Sequence, residues 1–583
     1  MASSAADMAP QTAYRRPSTK GGEIKGGEVT EVLVKPSMEK PSPKSSEEIF
    51  MTKDEYKLAQ LGYKQTLSRG LGVVENFCAT FTTMNFVSGL PVLFGFAMYT
   101  GGPQAAFANW TMVGGMAFLI SLSMAEIAAA LPTAGGIYYW SNYLGGPKYG
   151  PFLAWTTAWW NWAGWIAVVP ATQQGATNFL LSALEVIYPD ATIFSKGWFS
   201  FLITSAAICL AAIPNICSQT VLKYTLRVTL VTFLILYCSY MIWVPVATSR
   251  NGKFQDGSIL TTFVNGINSP GGPQASNGYC WVVGILFGAW DFYGWDASVH
   301  LSEETKSAST TTARGMWLGT LTTWCLSVPV LLIFLFCIQD LDAIVSGTYN
   351  NNFAELLIQT VGRHGAAAIL IICWIDNSIQ LAVCILSAQR VTYAIARDGV
   401  LPGSKYLSRV SEKHKVPINA ALLVVAISIA IEAAIIGSEV AFTALTAVGT
   451  IAVNFSYLIP IVTRHTIGKD RFQPAAWNLG FMSPVLAAVA SIWICFLIVV
   501  LVLPQLYPVT AVSIMRNRFW VVYSMLTLTL AKPQLCAYHD RRHHNHLACG
   551  VVHAFRMGRK VLVQGLQEDD YRGRAEGCED CGR

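Results

Sequence analysis

The stretch WVVGILFGAWDFYGWDASVHLSEE, residues 281–304, decides the fold of this chain. It begins as an apolar run long enough to enter a lipid bilayer, yet it contains the carboxylates of Asp291 and Asp296. An aspartate at the centre of a membrane helix costs about 2.5–3.5 kcal/mol on insertion, so such residues usually serve a function. Gly288 and Gly294 interrupt the same run, and glycine weakens a helix. We therefore interpret this stretch as a broken membrane helix at a functional site.

The composition of the whole chain also predicts a membrane protein. Of its 583 residues, 53% are hydrophobic and 13% are charged, whereas a soluble globular protein has about 25% charged residues. The net charge of +6 is small and requires no nucleic-acid partner. Apolar runs of membrane-spanning length are 72–99, 107–131, 151–182, 198–214, 221–247, 280–299, 315–338, 365–391, 417–436, 439–462 and 479–503, and a twelfth run, 518–531, is short. This pattern predicts an all-α polytopic membrane protein.

Both ends of the chain differ from its apolar centre, the predicted transmembrane domain 71–515. Residues 1–70 are rich in Ser, Pro, Gly, Lys and Glu, and we interpret them as a disordered cytoplasmic tail. Residues 516–583 have no clear membrane-span pattern, and a retained intron or shifted reading frame would explain this atypical segment. Cys578 and Cys581 lack a spaced partner pair, so no metal site and no cofactor is expected.

The distribution of positive charge predicts the orientation of the chain. With the N-terminus inside, the inside loops carry fourteen Lys or Arg residues and the outside loops carry four. Cytoplasmic loops of membrane proteins are enriched in these residues. We therefore expect a cytoplasmic N-terminus in a multi-pass protein, and we expect the plasma membrane rather than the vacuole.

An earlier apolar run is interrupted in the same way. Residues 76–103, NFCATFTTMNFVSGLPVLFGFAMYTGGP, contain Ser88, Gly89 and Pro91 near the middle. The two interrupted runs lie five spans apart, and an odd number of spans inverts the second half relative to the first. Paired broken helices of this kind are typical of secondary transporters. For either run alone, close helix packing through glycine is the alternative.

The ends of broken helices suit a ligand that carries both an anionic and a cationic group. Free backbone amides at a helix start bind a carboxylate, and free carbonyls at a helix end bind an amine or a cation. Trp290 is expected to cover the ligand by cation–π contact, with core or lipid packing as the alternative. Asp291 is expected to face the amine or water. The predicted substrate-binding residues are Ser88, Gly89, Leu90, Gly288, Ala289, Trp290, Asp291 and Gly294.

Two carboxylates are candidates for ion or proton coupling. Burial favours the neutral form of Asp296, which is expected to take up a proton on one side of the membrane and release it on the other. The alternative is a structural acceptor for a backbone amide. Asp376, in the run CWIDNSIQ (373–380), is the second candidate. His300, Glu303 and Glu304, at the end of the sixth span, are expected to pair with Lys306 or Arg314 and to hold an inside gate.

Three motifs carry a resemblance to a known superfamily: AEIAAALPTAGGIYYW (125–140), GWDASVHLSEET (294–305) and QRVTYAIARDGVLPGSKYLSRVSEKHKVPINA (389–420). With them, the chain resembles the amino acid–polyamine–organocation superfamily, in particular its fungal branch of GABA, choline and general amino acid permeases. The resemblance implies a five-plus-five inverted repeat with broken helices one and six, plus up to two extra C-terminal helices. It implies that SGLP (88–91) binds the substrate carboxylate, that Trp290 is the gate, and that Asp296 occupies the acidic position after the sixth-helix break.

The sequence thus predicts a proton-coupled permease that moves an amino acid, GABA or a related small amine by alternating access. A choline or polyamine carrier of the same fold and a non-transporting nutrient sensor are the alternatives. An enzyme is not expected, because the chain has no HExxH or GxSxG motif and no acidic metal cluster. The expected partners are a small-molecule substrate, a coupling ion, H⁺ rather than Na⁺, and the lipid bilayer.

Overall fold

A computed structural model describes residues 52–61, 67, 69–268, 274–347, 349–435 and 439–504. Within these residues the protein is built from α-helices joined by short loops. The helices are α1 Lys53–Gln60, α2 Val73–Thr83, α3 Phe86–Val92, α4 Phe94–Tyr99, α5 Gly102–Ala130, α6 Gly136–Ile187, α7 Gly197–Cys217, α8 Gln219–Cys238, α9 Val244–Asn251, α10 Asn277–Val283, α11 Leu286–Asp291, α12 Ala297–His300, α13 Ala308–Cys337, α14 Leu341–Ser346, α15 Phe353–Arg397, α16 Ser404–Leu407, α17 Ile418–Ile435, α18 Glu439–His465 and α19 Ser483–Val502.

Several of these helices are long and apolar enough to cross a membrane. Seven such helices occur in the described part of the chain: Gly102–Ala130, Gly197–Cys217, Thr220–Asn251, Ala308–Cys337, Phe353–Arg397, Leu445–His465 and Gly480–Val502. Each of the eleven long apolar runs of the sequence coincides with one or more helices. The first and sixth runs form short helices because they are broken, and α6 and α15 bend at Gly146 and Gly362, whose φ angles are 62° and 77°. The prediction of an all-α polytopic membrane protein is confirmed.

One end of the helix bundle is formed where α2 begins, and we call it the N-terminal face. Here the amides of Gly70 and Leu71 both donate to the carbonyl of Glu304, at 3.0 Å, and Leu71 also pairs with Thr305. The chain segments that precede the first and follow the sixth predicted spans are therefore neighbours. We call the other end of the bundle the opposite face.

The opposite face carries the far ends of the same spans. The amide of Gly101 donates to the carbonyl of Val264 at 2.9 Å, and the Asn351 side chain donates to the carbonyl of Pro91 at 3.3 Å. The loops that contain Val264 and Asn351 thus lie over the end of the first span. Both broken runs extend between the two faces.

The first predicted span is broken earlier than its Ser-Gly-Leu-Pro sequence suggests. Helix α2 ends at Thr83 and α3 begins at Phe86, so the break is at Met84–Asn85, and Ser88 to Pro91 lie inside α3. The carbonyl of Asn85 accepts the amides of Ser88 and Gly89, at 3.2 and 2.7 Å, which starts the new helix at once. Pro91 is the last but one residue of α3, so the helix ends soon after it.

The sixth predicted span is interrupted between α11 and α12. Helix α11 ends at Asp291 and α12 begins at Ala297. Gly294 lies in the gap with a φ of 88°, a left-handed conformation that other residues rarely adopt. The prediction that the break extends from Gly288 is wrong for that residue, because Gly288 is helical and packs against Val113 of α5.

The structure describes only part of the terminal segments. Helix α1 lies inside the tail that was predicted to be disordered, and it begins with a capping box in which Thr52 and Glu55 exchange side-chain and backbone hydrogen bonds. The compact unit that contains the membrane helices begins at Leu67. The short run 518–531 and the atypical segment 516–583 lie outside the described residues. The five-plus-five inverted repeat stays a prediction.

Candidate functional site

A small cavity lies between the two broken spans. It has about 20 Å³ of free space, which is room for about one water molecule. Both broken spans and the long helices α6 and α15 contribute to its wall. The lining residues are Thr83, Gly89, Val92, Val168, Thr172, Trp290, Asp291, Tyr293, Asn377, Gln380 and Cys384.

Asp291 is the acidic residue of this cavity. Its side chain is 6% exposed, and its Oδ1 lies against Gly89, where any Cβ would overlap it. Its Oδ2 has no hydrogen-bond partner among the described residues. Because an unpaired buried carboxylate is costly, this oxygen is well suited to bind a cationic group or a proton.

Three of the predicted substrate-binding residues meet in the cavity: Gly89, Trp290 and Asp291. Trp290 is 7% exposed, and its ring meets the ring of Tyr293 edge-on with centroids 5.8 Å apart. An aromatic pair beside an acid is an arrangement that suits an organic cation.

The other predicted substrate-binding residues do not line this cavity: Ser88, Leu90, Gly288, Ala289 and Gly294. The amides of Ser88 and Gly89 already donate to the Asn85 carbonyl, so neither is free for a carboxylate in this conformation. The carbonyl of Gly288 already accepts the amide of Phe292 at 3.0 Å. The prediction and the structure differ because these residues lie inside helices, where hydrogen bonds of the helix already occupy their backbone groups.

Five polar lining residues were not predicted from the sequence: Thr83, Thr172, Tyr293, Asn377 and Gln380. Asn377 and Gln380 stand three positions apart on α15, which places both on one side of the helix. They occur in an otherwise apolar run, so polarity at helical spacing was the available signal. For Thr172, on α6, the sequence offers no such signal.

Asp296 lies outside the cavity, at the centre of a buried hydrogen-bond network. Its Oδ2 accepts from Asn161 Nδ2 and Trp165 Nε1, each at 3.1 Å, and its Oδ1 accepts from the Tyr457 hydroxyl at 2.5 Å. The Tyr457 hydroxyl also accepts the Gly294 amide at 3.3 Å. The network therefore joins the gap between α11 and α12 to α6 and α18.

His300 completes this network. Its Nε2 lies 3.1 Å from Oδ2 of Asp296, and its Nδ1 lies 3.3 Å from the carbonyl oxygen of Ala134. A carbonyl oxygen only accepts hydrogen bonds, so Nδ1 carries a proton. The imidazole therefore lies between the carboxylate of Asp296 and the backbone of Ala134.

Asp376 forms a second buried network at the break in the first span. Its Oδ2 accepts from Asn85 Nδ2 at 2.5 Å and from the Ser88 hydroxyl at 3.1 Å, while its Oδ1 accepts from the Thr232 hydroxyl at 2.6 Å. The carboxylate is 0% exposed and joins α3 and α8 to α15. All three partners are donors, an arrangement that satisfies an ionised carboxylate.

Two ion pairs lie at the N-terminal face. Oε1 of Glu304 is 2.7 Å from Nε of Arg390, with both side chains 1% exposed, and Oε2 of Glu303 is 3.1 Å from NH1 of Arg397. The prediction that the two glutamates pair with Lys306 or Arg314 is wrong, because the side chains of both basic residues are exposed. The ion pairs fasten the end of the sixth span to α15.

A much larger cavity is present at the opposite face. It has about 700 Å³ of free space and reaches the outer half of the first span. Its lining includes the polar or charged residues Gln174, Asn178, Lys196, Asn350, Asn351 and Glu432. The bundle is therefore closed by ion pairs at one face and open at the other.

Comparisons with known proteins agree with this architecture. A family profile described as amino acid permease matches residues 71–529. The amino-acid permease BAT1 homolog of Oryza sativa subsp. japonica is 32% identical over 473 residues, covering 78% of this chain and 88% of the relative. The amino-acid permease BAT1 of Arabidopsis thaliana is 30% identical over 479 residues, covering 79% and 90%.

A fungal relative carries a different name. The thiamine transporter thi9 of Schizosaccharomyces pombe is 28% identical over 487 residues, covering 78% of this chain and 81% of the relative. The named relatives are transporters and not enzymes, so this chain is an integral, multi-pass membrane transporter of small organic nutrients. It belongs to the amino acid permease family, within the amino acid–polyamine–organocation superfamily.

Proposed function

We propose that this protein is a secondary active transporter that moves an amino acid, GABA or a related small amine across the membrane together with protons. The observation that carries this proposal is the unpartnered Oδ2 of Asp291 in the small cavity between the broken spans. The ammonium group of the substrate binds this oxygen, and Trp290 covers the bound cation. Gly89 brings the backbone of α3 against the same carboxylate.

The substrate carboxylate binds on the α3 side of the cavity. The amides of Ser88 and Gly89 become available to it when their bonds to Asn85 open, a change that a shift at the Met84–Asn85 break would produce. The side chains of Asn377 and Gln380, which line the same cavity, supply further polar contacts.

Alternating access follows from the difference between the two faces. The pairs Glu304–Arg390 and Glu303–Arg397 hold the N-terminal face closed, while the opposite face gives entry through the 700 Å³ cavity. Substrate enters from the opposite face, and release at the N-terminal face requires both ion pairs to separate. The N-terminus is cytoplasmic and the protein acts at the plasma membrane, so this cycle imports the substrate.

The proton is carried by Asp296 together with His300. Their shared proton is held at the gap between α11 and α12, and Nδ1 of His300 connects the pair to Ala134 at the N-terminal face. Tyr457 and Tyr293 are titratable groups near the pair, and the hydroxyl of Tyr457 donates to Asp296. Asp376, whose carboxylate accepts from Asn85 and Thr232 beside the break in the first span, is the second coupling residue.

A second candidate function is transport of a larger organic cation, such as choline, a polyamine or thiamine. An acid beside an aromatic pair, as formed by Asp291, Trp290 and Tyr293, favours such a ligand. A relative that is named a thiamine transporter adds weight to this candidate.

Uptake of radiolabelled alanine, arginine, GABA, choline, spermidine and thiamine into transporter-deficient cells tests both candidates. The full chain is expressed with and without a protonophore, and sodium is replaced by N-methylglucamine in parallel. We expect uptake of an amino acid or GABA that the protonophore abolishes and that sodium replacement leaves unchanged. Uptake of only choline, spermidine or thiamine supports the second candidate. Absence of all uptake despite surface expression favours a nutrient sensor and contradicts both.

A further inference from the structure

The large cavity at the opposite face contains a carboxylate that the transport steps above do not use. Glu432, on α17, lines this cavity and is only 2% exposed. Its Oε2 has no hydrogen-bond partner among the residues that the structure describes. Because a buried carboxyl oxygen without a partner is costly, a cation that enters the cavity is a favourable partner for it.

The rest of the cavity wall is polar and has little charge. The side chains of Gln174, Asn178 and Asn350 supply neutral amides. Among the described lining residues, Lys196 is the only basic residue and Glu432 the only acidic one. Lys196 is exposed, and no ion pair joins it to Glu432 in the described part of the chain.

We infer that this cavity is an outer binding site for organic ammonium groups, in which Glu432 binds the cation of an arriving substrate before it moves on to Asp291. The inference rests on the proposed function for its physiological ligand. Glu432 is then a second acidic residue that recognises the same cationic group, and it lies on α17 rather than on a broken span. Residues of the outer half of the first span, between Val92 and Tyr99, line the cavity, and Val92 also lines the small cavity.

Charged thiol reagents test the site without knowledge of the substrate. Asn178→Cys places a thiol on the cavity wall, and its labelling rate is measured with a cationic trimethylammonium-ethyl and an anionic sulfonatoethyl methanethiosulfonate. The full chain without this substitution gives the background from native cysteines. We expect the cationic reagent to react faster, and we expect Glu432→Gln to lower the ratio of cationic to anionic rates several-fold. An unchanged ratio overturns the inference.

Two control variants show whether the effect belongs to Glu432 itself. Glu185 lies at the same face and accepts a hydrogen bond from Asn350 Nδ2 at 2.6 Å, but it does not line the cavity. Glu185→Gln is expected to leave the ratio unchanged, and an equal fall would indicate only a general surface charge. If Lys196→Gln raised the ratio as much as Glu432→Gln lowers it, Lys196 would neutralise Glu432, and the inference would be overturned.

Uptake kinetics then connect the site to transport. With any substrate that the uptake panel identifies, Glu432→Gln is expected to raise KM several-fold and to leave Vmax unchanged, because the variant weakens capture and not translocation. A lower Vmax at constant KM would contradict a capture role. The labelling ratio does not depend on transport, so it decides the inference even if no panel compound is transported and the proposed function fails.

Discussion

Gly89 of α3 lies directly against the carboxylate of Asp291 of α11, at a distance that leaves no space for a Cβ. The two broken spans therefore touch through the backbone of one and the acid of the other. This contact places the unpartnered Oδ2 of Asp291 at the wall of the small cavity. The first prediction concerns this contact.

Gly89→Ala is expected to abolish uptake, because the added methyl group displaces the Asp291 carboxylate. Overpacking of this kind costs about 1–3 kcal/mol of stability, which leaves the protein folded in most cases. Initial uptake rate and surface expression are measured together. Gly278→Ala is the control, since a Cβ at position 278, in α10 at the start of the other broken span, meets nothing within 4 Å. Normal uptake by Gly89→Ala would contradict the close contact.

Asp291→Asn keeps the size of the side chain and removes its charge. A hydrogen bond to a charged group contributes about 1.5–3 kcal/mol, so KM for a substrate with an ammonium group is expected to rise roughly 10- to 150-fold. The kinetics of uptake check this. Thr83→Ser, which alters another lining residue but retains the hydroxyl that donates to Ala79, serves as control. An unchanged KM would exclude Asp291 from cation binding.

Arg390→Gln leaves Glu304 buried without its partner. Removal of one member of a buried ion pair costs about 3–5 kcal/mol, so we expect a clear fall in the thermal unfolding temperature and a more accessible N-terminal face. Thermal unfolding of the purified protein and thiol labelling from that face measure the two effects. Arg227→Gln is the control, because the Arg227–Glu75 pair has a 59% exposed arginine and such pairs contribute about 0–1 kcal/mol. Equal stability of both variants would argue against the Arg390–Glu304 closure.

His300→Gln removes the imidazole whose Nε2 lies 3.1 Å from Oδ2 of Asp296 and which, in the proposed function, carries the proton with it. Wild-type uptake is expected to rise as the external pH falls, since protonation loads the pair. In the variant this pH dependence is expected to flatten while uptake at low pH is retained in part, because the glutamine amide still donates to Asp296. Uptake rates across pH 5–8 give the profile, and an unchanged profile would remove His300 from coupling.

The sequence predicted the broken spans better than the position of their breaks. Apolar runs of sufficient length identified the spans that the described part of the chain contains, because burial in lipid restricts composition strongly. The first break was assigned to Ser88–Pro91, but it lies at Met84–Asn85, because the Asn85 carbonyl accepts two amides and restarts the helix. Several neighbouring residues could end the helix here. Backbone hydrogen bonds decide which of them does, and the composition of the sequence does not reveal these bonds.

The tertiary partners of charged residues were the least predictable feature. Glu304 was expected to pair with a nearby basic residue, yet it binds Arg390, 86 positions further along the chain. Likewise, Asn161 and Tyr457 surround Asp296 from helices far apart in sequence. Neighbours in the chain are a poor guide to neighbours in a bundle whose helices run back and forth across a membrane.

The small size of the inner cavity has a consequence for substrate choice. The cavity has about 20 Å³ of free space, so under the proposed function the helices must move apart before a substrate fits there. Substrate selectivity then depends on how far the two broken spans must separate for each compound and on the free energy that this separation requires. A smaller residue in place of Trp290 would lower this cost, and such a variant is expected to accept bulkier molecules than the natural carrier does.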